Sequence, residues 1–266
     1  MNNINLDPNT VIFDKGKEIF LKNKGNKAIL LIHGFTGIPY EMKYLADNIY
    51  KNTNYTIYVP RLPGHGTNTQ DFRESSANDW LRKSYDSYLK LKSEYDNVSV
   101  IGLSMGGLIS LLIAAKFEIE KLITISPALN TYNPFDKLTP ILKYFIPKIK
   151  QKTGLERIKN SEDKEEEFYH RNYHLYHYTS QIAELVKVMK LTKKNLANVT
   201  VPTLILASEA DKLVPISAAQ KIKRKISSAY KEIFIFEKAK HVICNSEKKE
   251  ICSKKTLEFL RERTPH

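Results

Sequence analysis

Gly102-Leu103-Ser104-Met105-Gly106 is the stretch that decides the fold of this chain. It joins an apolar run at residues 98–103 to an apolar helical pattern at residues 105–115. A serine on such a sharp strand-to-helix turn projects its hydroxyl clear of the sheet, and the small glycines on either side permit the bend. Because the free N–H groups of the helix start would face an incoming oxyanion, the stretch predicts a nucleophilic serine suited to acyl transfer.

Strand patterns alternate with helical patterns on both sides of this stretch. Since parallel strands need helical crossovers, the alternation predicts an α/β domain with a mostly parallel eight-stranded sheet and helices on both faces. The predicted strands are residues 11–13, 18–21, 28–32, 56–59, 98–101, 122–125, 203–206 and 233–236, the first two joined as a hairpin by residues 14–17. The predicted helices are residues 41–50, 79–95, 105–116, 217–225 and 246–263.

One interval, residues 127–201, breaks this alternation and shows no strand pattern. Prolines interrupt its apolar stretches, and a charged run at residues 162–167 precedes a patch of aromatic and histidine residues at 168–178. The interval therefore predicts a small helical cap, inserted between two strands of a core that is formed by residues 1–126 and 202–266.

The 266-residue chain is 42% hydrophobic, enough for one sizeable α/β core, and has a net charge of +13. Such a charge would suit nucleic acid, acidic substrates or an anionic membrane. The lysines are nevertheless scattered over helical patterns, and the richest cluster, residues 221–225, is typical of the solvated outer face of one helix. We therefore expect no nucleic-acid partner and keep transient contact with an anionic membrane or micelle surface as an alternative. The sequence gives no indication of the oligomeric state.

Cys244 and Cys252 are the only cysteines, and no second pair accompanies them to suggest a disulfide framework or a metal site. Residues 1–10 are polar and lack the apolar core of a signal peptide. The apolar stretch at residues 108–115 is too short to cross a bilayer. These features predict a cytoplasmic protein.

A serine hydroxyl is a poor nucleophile at neutral pH and needs a base that is itself oriented by an acid. In α/β enzymes these residues occur in the chain order Ser, then Asp or Glu, then His. Ser104, Asp211 and His241 meet that order, and each follows a predicted strand. Because parallel strands bring their carboxyl ends to one edge of the sheet, we predict that these three side chains converge there.

Each of these assignments has a structural alternative. Ser104 could act only as the N-cap of the helix that follows it. Asp211 could cap the helix that begins near residue 216, in which case Glu209 would be the acid. His241 could be an ordinary surface histidine.

The remaining histidines fit other roles. His33 and His65 lie in glycine-containing loops before the serine, where an imidazole typically pins the loop through hydrogen bonds. His170, His174 and His177 have the spacing i, i+4, i+7, so one helix would project all three on one face and could hold a metal. No carboxylate or cysteine on a second element accompanies them, so neither a metal nor another cofactor is expected.

Tyr169, Tyr173 and Tyr176 repeat with the same spacing beside these histidines. They are predicted to pack within the cap or to face a pocket there. As pocket residues they would bind the substrate.

An oxyanion hole needs two backbone N–H groups, and the first should come from Met105, which follows the serine. The second should come from the loop after the predicted strand 28–32, which reads His33-Gly34-Phe35-Thr36-Gly37. Because the glycines permit the unusual backbone angles that turn an N–H inward, Phe35 is the predicted second donor.

Together these pieces resemble the α/β-hydrolase family, and more narrowly its small bacterial carboxylesterases and monoacylglycerol lipases with a short helical cap. The matching pieces span nearly the whole chain in the family's order and are His33-Gly34-Phe35-Thr36-Gly37, Pro60-Arg61-Leu62-Pro63-Gly64-His65-Gly66, Asp79-Trp80, Gly102-Leu103-Ser104-Met105-Gly106-Gly107, Asp211 and His241. The resemblance implies that Ser104 is the nucleophile, His241 the general base and acid, and Asp211 its orienting carboxylate. It likewise implies that the N–H groups of Phe35 and Met105 form the oxyanion hole.

The resemblance also implies a serine carboxylic ester hydrolase that needs no cofactor. Such an enzyme works through an acyl-enzyme, here on monoesters with a short or medium-length acyl chain. An acyltransferase, a thioesterase and a hydroxycinnamoyl esterase would use the same core and stay alternatives. A non-catalytic binding module is disfavoured because the three triad residue types and both glycine-rich loops are present. The expected partner is therefore a small-molecule ester.

Overall fold

The computed structural model describes residues 6–262 and is built around a seven-stranded sheet. In chain order, the strands of this part of the chain are β1 Ile19–Leu21, β2 Lys27–Ile32, β3 Thr56–Val59, β4 Asn97–Leu103, β5 Leu122–Ile125, β6 Lys148–Lys150, β7 Tyr176–Tyr178, β8 Thr203–Ser208 and β9 Lys231–Phe236. The main sheet has the order β1-β3-β2-β4-β5-β8-β9, and its neighbours are parallel except β1 and β3. The mostly parallel α/β sheet predicted from the sequence is therefore confirmed.

Helices cover both faces of this sheet, as predicted. Those of residues 6–262 are α1 Lys43–Asn52, α2 Thr69–Glu74, α3 Ala77–Glu94, α4 Met105–Lys116, α5 Thr139–Leu142, α6 Lys152–Lys159, α7 Lys164–Tyr173, α8 Thr179–Asn195, α9 Ile216–Lys225 and α10 Lys249–Arg261. None of these helices is both long and apolar enough to span a membrane.

Strand β2 contributes side chains to the hydrophobic clusters on both faces of the sheet. Its side chains at Ala28, Leu30 and Ile32 pack in a hydrophobic cluster with α3, α4, α8 and α9. The intervening Ile29 and Leu31 pack in a second cluster with α1 and α10. Because successive side chains of a strand point to opposite faces, a strand covered on both sides is apolar throughout, as this one is.

The expected eighth strand is absent from residues 6–262, because residues 11–13 do not pair as a strand. The N–H of Phe13 instead donates to the carbonyl oxygen of Gly66 at 3.2 Å. The Phe13 ring lies 6.0 Å, centroid to centroid, from the rings of both Phe168 and Tyr169 on α7. Contacts with a distant helix therefore replace the predicted hairpin.

Residues 127–201 contain two short strands as well as helices, so the expectation of no strand in this interval is wrong. β6 and β7 pair antiparallel, with Ile149 opposite His177. The interval's longest helix, α8, packs on α4 and contributes to the core cluster of that face. The division into a core and a cap with boundaries at 127 and 201 stays a prediction.

The start of α4 lies directly against the end of β2. Residues 105–114 of this helix are all buried. A methyl group at Gly106 would overlap the carbonyl oxygens of Ile32 and His33, so only glycine allows this approach. The approach brings Ser104, at the N-terminus of α4, beside the loop that follows β2.

Candidate active site

Ser104 lies on the turn between β4 and α4 with φ 55° and ψ −113°. A non-glycine residue in such a conformation costs about 1–3 kcal/mol and persists only where its surroundings determine it. Here the Ser104 N–H donates to the carbonyl oxygen of Ile125 on β5 at 2.8 Å, which fixes the turn against the sheet. Only 8% of the Ser104 surface is exposed to solvent, so the residue is buried.

His241 joins the other two predicted side chains. Its Nε2 lies 2.9 Å from Ser104 Oγ, and its Nδ1 lies 2.6 Å from Asp211 Oδ2. The three residues follow β4, β8 and β9, and the carboxyl ends of these parallel strands meet at one edge of the sheet. The predicted convergence of Ser104, Asp211 and His241 is therefore observed in residues far apart in the chain.

The environment of Asp211 keeps its carboxyl group ionised. Burial raises its pKa, but the hydrogen bond and charge of His241 and the N–H groups of Leu213 and Val214 together hold the pKa below its usual value. Those N–H groups donate to Oδ1 at 2.8 and 3.0 Å. An ionised carboxylate only accepts, so Nδ1 of His241 carries the proton and Nε2 is free to accept from the Ser104 hydroxyl.

The alternative in which Asp211 caps the next helix and Glu209 is the acid does not match the structure. Helix α9 begins at Ile216 with Pro215 at its N-cap and no side-chain cap, so Asp211 does not cap it. Glu209 is exposed, and its backbone N–H donates to the carbonyl oxygen of Phe236. Asp211 is thus the carboxylate that contacts His241.

The loop of residues 33–37 borders Ser104 because β2 pairs with β4, with Ile32 opposite Gly102. A β-carbon on Gly34 would lie 3.4 Å from the β-carbon of Ser104. Within residues 6–262, the N–H groups of Phe35 and Met105 donate to no acceptor. Both are therefore available to an oxygen atom bound at the serine.

The two histidines of the glycine-containing loops pin those loops, as predicted. Nε2 of His33 accepts from the N–H of Leu62 at 3.2 Å, and Nδ1 then donates to the carbonyl oxygen of Gly34 at 3.0 Å. Burial lowers the pKa of His33 to about 4, so this ring is neutral. Nδ1 of His65 donates in the same way to the carbonyl oxygen of Pro63 at 3.0 Å.

Two of the three predicted pocket tyrosines attach α7 to core loops. The Tyr169 hydroxyl donates to the carbonyl oxygen of Thr36 at 3.0 Å, and the Tyr173 hydroxyl donates to that of Gly64 at 3.0 Å. Tyr176 lies on β7, where its ring packs against Tyr178. A substrate-binding role for these tyrosines stays a prediction.

The helix expected to present three histidines ends too early to do so. α7 stops at Tyr173, so His174 follows the helix and His177 lies on β7. Nδ1 of His170 lies 3.0 Å from Nδ1 of His174, which leaves these rings bonded to each other. Among residues 6–262, no three His, Cys, Asp or Glu side chains are grouped so that they could hold a metal ion.

One carboxyl group beside the site was missed by the sequence analysis. Glu41 stands at the first position of a predicted helix, where an acidic residue is commonplace. In the structure it lies in a 3-10 turn, Pro39–Met42, that follows loop 33–37. No spacing or motif in the sequence distinguishes it.

Known proteins are similar to this chain over most of its length. Residues 23–248 match the family Hydrolase_4, described as serine aminopeptidase, S33. A thermostable monoacylglycerol lipase of Bacillus sp. strain H-257 is 31% identical over 245 residues, which cover 92% of this chain and 94% of the relative. A carboxylesterase of Bacillus subtilis strain 168 is 24% identical over 239 residues, which cover 90% of this chain and 94% of the relative.

A solved structure shares the fold as well. It belongs to work on the metagenome-derived lipolytic enzymes LipS and LipT and superposes with a TM-score of 0.83 at 24% identity. The match covers 94% of this chain and 99% of the other. With the family match over most of the chain, the 31% identical lipase and the shared fold, the chain belongs to the Hydrolase_4 family of α/β-hydrolases and is a serine hydrolase.

Proposed function

We propose that the protein hydrolyses carboxylic monoesters with a short or medium-length acyl chain through an acyl-enzyme on Ser104. The observation that carries this proposal is the unbroken chain of hydrogen bonds from Asp211 through His241 to Ser104. A hydroxyl in this arrangement has a base at bonding distance, and the base has its orienting acid.

In the first step, Ser104 Oγ attacks the carbonyl carbon of the ester while Nε2 of His241 takes the hydroxyl proton. The imidazolium that forms is stabilised by the ionised carboxylate of Asp211, which is already hydrogen-bonded to Nδ1. Asp211 stays ionised throughout, because its two backbone hydrogen bonds favour the charged form. The product of this step is a tetrahedral intermediate with a negatively charged oxygen.

The N–H groups of Phe35 and Met105 would bind that oxygen. Met105 lies in the first turn of α4, where a backbone N–H has no partner inside the helix and the helix dipole favours negative charge. Phe35 belongs to the loop that lies against Ser104. One donor of this kind typically contributes about 3–4 kcal/mol to transition-state stabilisation.

Collapse of the intermediate breaks the bond between the carbonyl carbon and the alcohol oxygen, and His241 gives its proton to the leaving alcohol. A water molecule then attacks the acyl-enzyme while His241 takes a proton from it. The second tetrahedral intermediate releases the carboxylic acid and returns the proton to Ser104. His241 accepts and then returns the proton in each proton transfer of this cycle.

The relatives support the monoester class. One is named a monoacylglycerol lipase and another a carboxylesterase, and both align over at least 90% of this chain. A glycerol monoester and a simple alkyl ester present the same single carbonyl to the serine. We therefore assign the chain an acyl monoester as its substrate.

The exposed apolar surface of the predicted cap supports transient contact with an anionic lipid surface. We call these side chains the cap patch: Tyr132, Phe135, Leu138, Ile141, Tyr144, Phe145, Ile146 and Ile149, each at least 44% exposed. Residues 132–152 also contain five lysines but a single acidic residue. Apolar side chains among lysines suit the boundary between anionic headgroups and acyl chains.

The cap patch begins at the edge of the candidate site. The N–H of Tyr132 donates to the carbonyl oxygen of Leu213 at 3.1 Å, and the N–H of Leu213 donates in turn to Asp211. The side chain of Leu213 is itself 56% exposed. A lipid surface that bound the patch would therefore present its esters close to the serine.

The test of this function is the variant Ser104→Ala. Without the hydroxyl no acyl-enzyme forms, so turnover of p-nitrophenyl butyrate should fall by about 10⁴-fold or more. Ser84→Ala is the matched control, because Ser84 is buried and its hydroxyl donates to the Trp80 carbonyl oxygen within α3. A Ser104→Ala enzyme with near wild-type turnover would show that the assignment is wrong.

A further inference from the structure

The carboxyl group of Glu41 lies against the loop of residues 33–37, although the mechanism above does not use it. Its 3-10 turn follows the loop directly, and the Glu41 N–H donates to the carbonyl oxygen of Ile38 at 3.0 Å. Oε2 lies so close to Gly37 that a β-carbon at position 37 would overlap it. The carboxyl group is thus packed against the backbone that carries the Phe35 N–H.

Tyr169 connects this carboxyl group and the loop with α7. Its hydroxyl donates to the carbonyl oxygen of Thr36 at 3.0 Å and lies 3.4 Å from Oε1 of Glu41. A phenol has only one proton to donate. An ionised Glu41 competes with Thr36 for that proton, whereas a protonated Glu41 can donate to Tyr169 and leaves the Tyr169 proton to Thr36.

The loop is in a conformation that needs such support. Thr36 has a φ of 57°, and its side-chain hydroxyl donates to the carbonyl oxygen of Phe35 at 2.6 Å. The N–H of Gly37 donates to the carbonyl oxygen of Gly34 at 3.1 Å, which closes the turn. The Gly34 carbonyl and the Phe35 N–H belong to the same peptide group, so a shift of the Thr36–Gly37 peptide would act on that group through the Gly37–Gly34 hydrogen bond and redirect the Phe35 N–H.

Groups from several elements surround the Glu41 carboxyl group. Arg157 of α6 and Tyr169 of α7 act on it, and the thiol of Cys244, just after His241 in the chain, donates to the Glu41 carbonyl oxygen at 3.6 Å. Burial raises the pKa of Glu41 to about 7, although Arg157, Tyr169 and the N–H groups of Gly34 and Ile38 each lower it. Both protonation states are therefore populated near neutral pH.

We propose that Glu41 is a positioning residue, which together with Tyr169 ties the loop of residues 33–37 to α7 and holds the Phe35 N–H towards the serine. The inference rests on the proposed function, because it assigns Glu41 a part in stabilising the oxyanion of that reaction. Glu41 touches neither the substrate nor the triad and acts through the loop.

The experiment compares Glu41→Met and Tyr169→Phe with wild type. Each removes one member of the connection with little change in shape. The concentration of active sites is measured by titration with a fluorophosphonate. The kcat and KM values are measured with p-nitrophenyl butyrate. Binding of butylboronic acid, whose serine adduct places an oxygen at the oxyanion position, gives a readout that a merely structural role would not change.

Both variants should lower kcat per active site about tenfold and weaken boronate binding by a similar factor, with KM within about twofold of wild type. The double variant should be no worse than the single ones, since all three break the same connection. Glu18→Met and Tyr58→Phe are the matched controls, because the Tyr58 hydroxyl donates to Glu18 at 2.9 Å near the β1 edge of the sheet. They should keep wild-type kcat and boronate binding.

An unchanged kcat per active site in both variants, with only a lower melting temperature, would reduce Glu41 to a structural role and overturn the inference. If Glu41→Met fails to fold, Tyr169→Phe alone still tests the inference. Failure of the proposed function looks different, because wild type itself would then show no turnover that Ser104→Ala removes. That result would overturn both.

Discussion

Two carboxyl groups of the site have pKa values that are shifted in opposite directions, and their neighbours explain the difference. Asp211 accepts hydrogen bonds from two backbone N–H groups and from His241, and its pKa lies below the usual value despite burial. Glu41 also interacts with Arg157, with the Tyr169 hydroxyl at 3.4 Å and with the N–H groups of Gly34 and Ile38, but burial outweighs them all and raises its pKa to about 7. Asp211 therefore stays negatively charged near neutral pH, whereas the charge of Glu41 varies with pH.

Glu41→Gln should gain stability relative to wild type as the pH rises from about 5 to about 8. The pKa of Glu41 is about 7 in the folded state against an ordinary 4.5, so between these values the folded state binds the proton more tightly than the unfolded state. Wild-type stability therefore falls with rising pH over this range, by at most about 3 kcal/mol. Glutamine does not ionise, so the variant does not lose stability in this way as the pH rises.

Urea denaturation of both proteins at the two ends of this pH range measures the effect. Glu18→Gln serves as the control, since its difference from wild type should not follow the same pH course. A stability difference between Glu41→Gln and wild type that stays constant with pH would contradict the raised pKa.

At this scale the sequence predicted the triad but missed Glu41, for a physical reason. Ser104, Asp211 and His241 each follow an apolar strand, so the topology of a parallel sheet alone brings them together. Glu41 obtains its surroundings from Tyr169, 128 positions away, through the packing of α7. That packing leaves no spacing or motif in the sequence.

Among the elements, the junction of β2 and α4 places Ser104 beside the loop of residues 33–37. Gly106→Ala should disrupt it, since the added methyl would meet the carbonyl oxygens of Ile32 and His33, which are backbone atoms and do not yield easily. We expect a loss of about 2 kcal/mol or more in unfolding free energy and a lower kcat per active site. Chemical denaturation and active-site titration measure the two quantities.

Gly107→Ala is the neighbouring control in the same helix. Its β-carbon would lie 3.1 Å from the carbonyl oxygen of Gly102 and 3.3 Å from Pro127, a milder conflict. The higher helix propensity of alanine, worth about 1 kcal/mol, offsets part of that conflict. Equal stability of the two variants would contradict the role given to Gly106.

The strands buried on both faces were predicted more accurately than the short strands away from the main sheet. The parallel strands of the core were predicted to within a few residues because strands covered on both faces read as continuous apolar runs. β6 and β7 have three residues each and lie away from the main sheet, so they carry no such pattern. Residues 11–13 have a strand-like composition, yet the Phe13 ring packs on α7 instead.

Over the whole molecule, the predicted cap is joined to the core along several independent contacts. Tyr173 bonds to Gly64 and Thr67 of one core loop, and Tyr169 bonds to Thr36 of another. Helix α8 adds its apolar side chains to the core cluster that contains α4. These contacts leave the cap patch, at the other end of the interval, as its exposed part.

The net charge of +13 and the cap patch together predict salt-dependent binding to anionic vesicles. Each lysine near an anionic surface contributes about 1 kcal/mol, and raising the salt to about 1 M shortens the screening length to about 3 Å. Binding to phosphatidylglycerol vesicles, measured by sedimentation, should therefore fall at least about tenfold between low and high salt. Vesicles of phosphatidylcholine should bind weakly at every salt concentration.

The paired variant Tyr144→Ser with Phe145→Ser separates the apolar contribution from the charge. These side chains are 76% and 79% exposed, and burying them in the lipid boundary should contribute about 1 kcal/mol or more each, so the loss of both should weaken vesicle binding about 30-fold or more. Leu89→Ser is the control, because Leu89 is 48% exposed on α3 and lies outside the cap patch. If the paired variant and the control bind vesicles equally well, the cap patch is not the surface that contacts lipid.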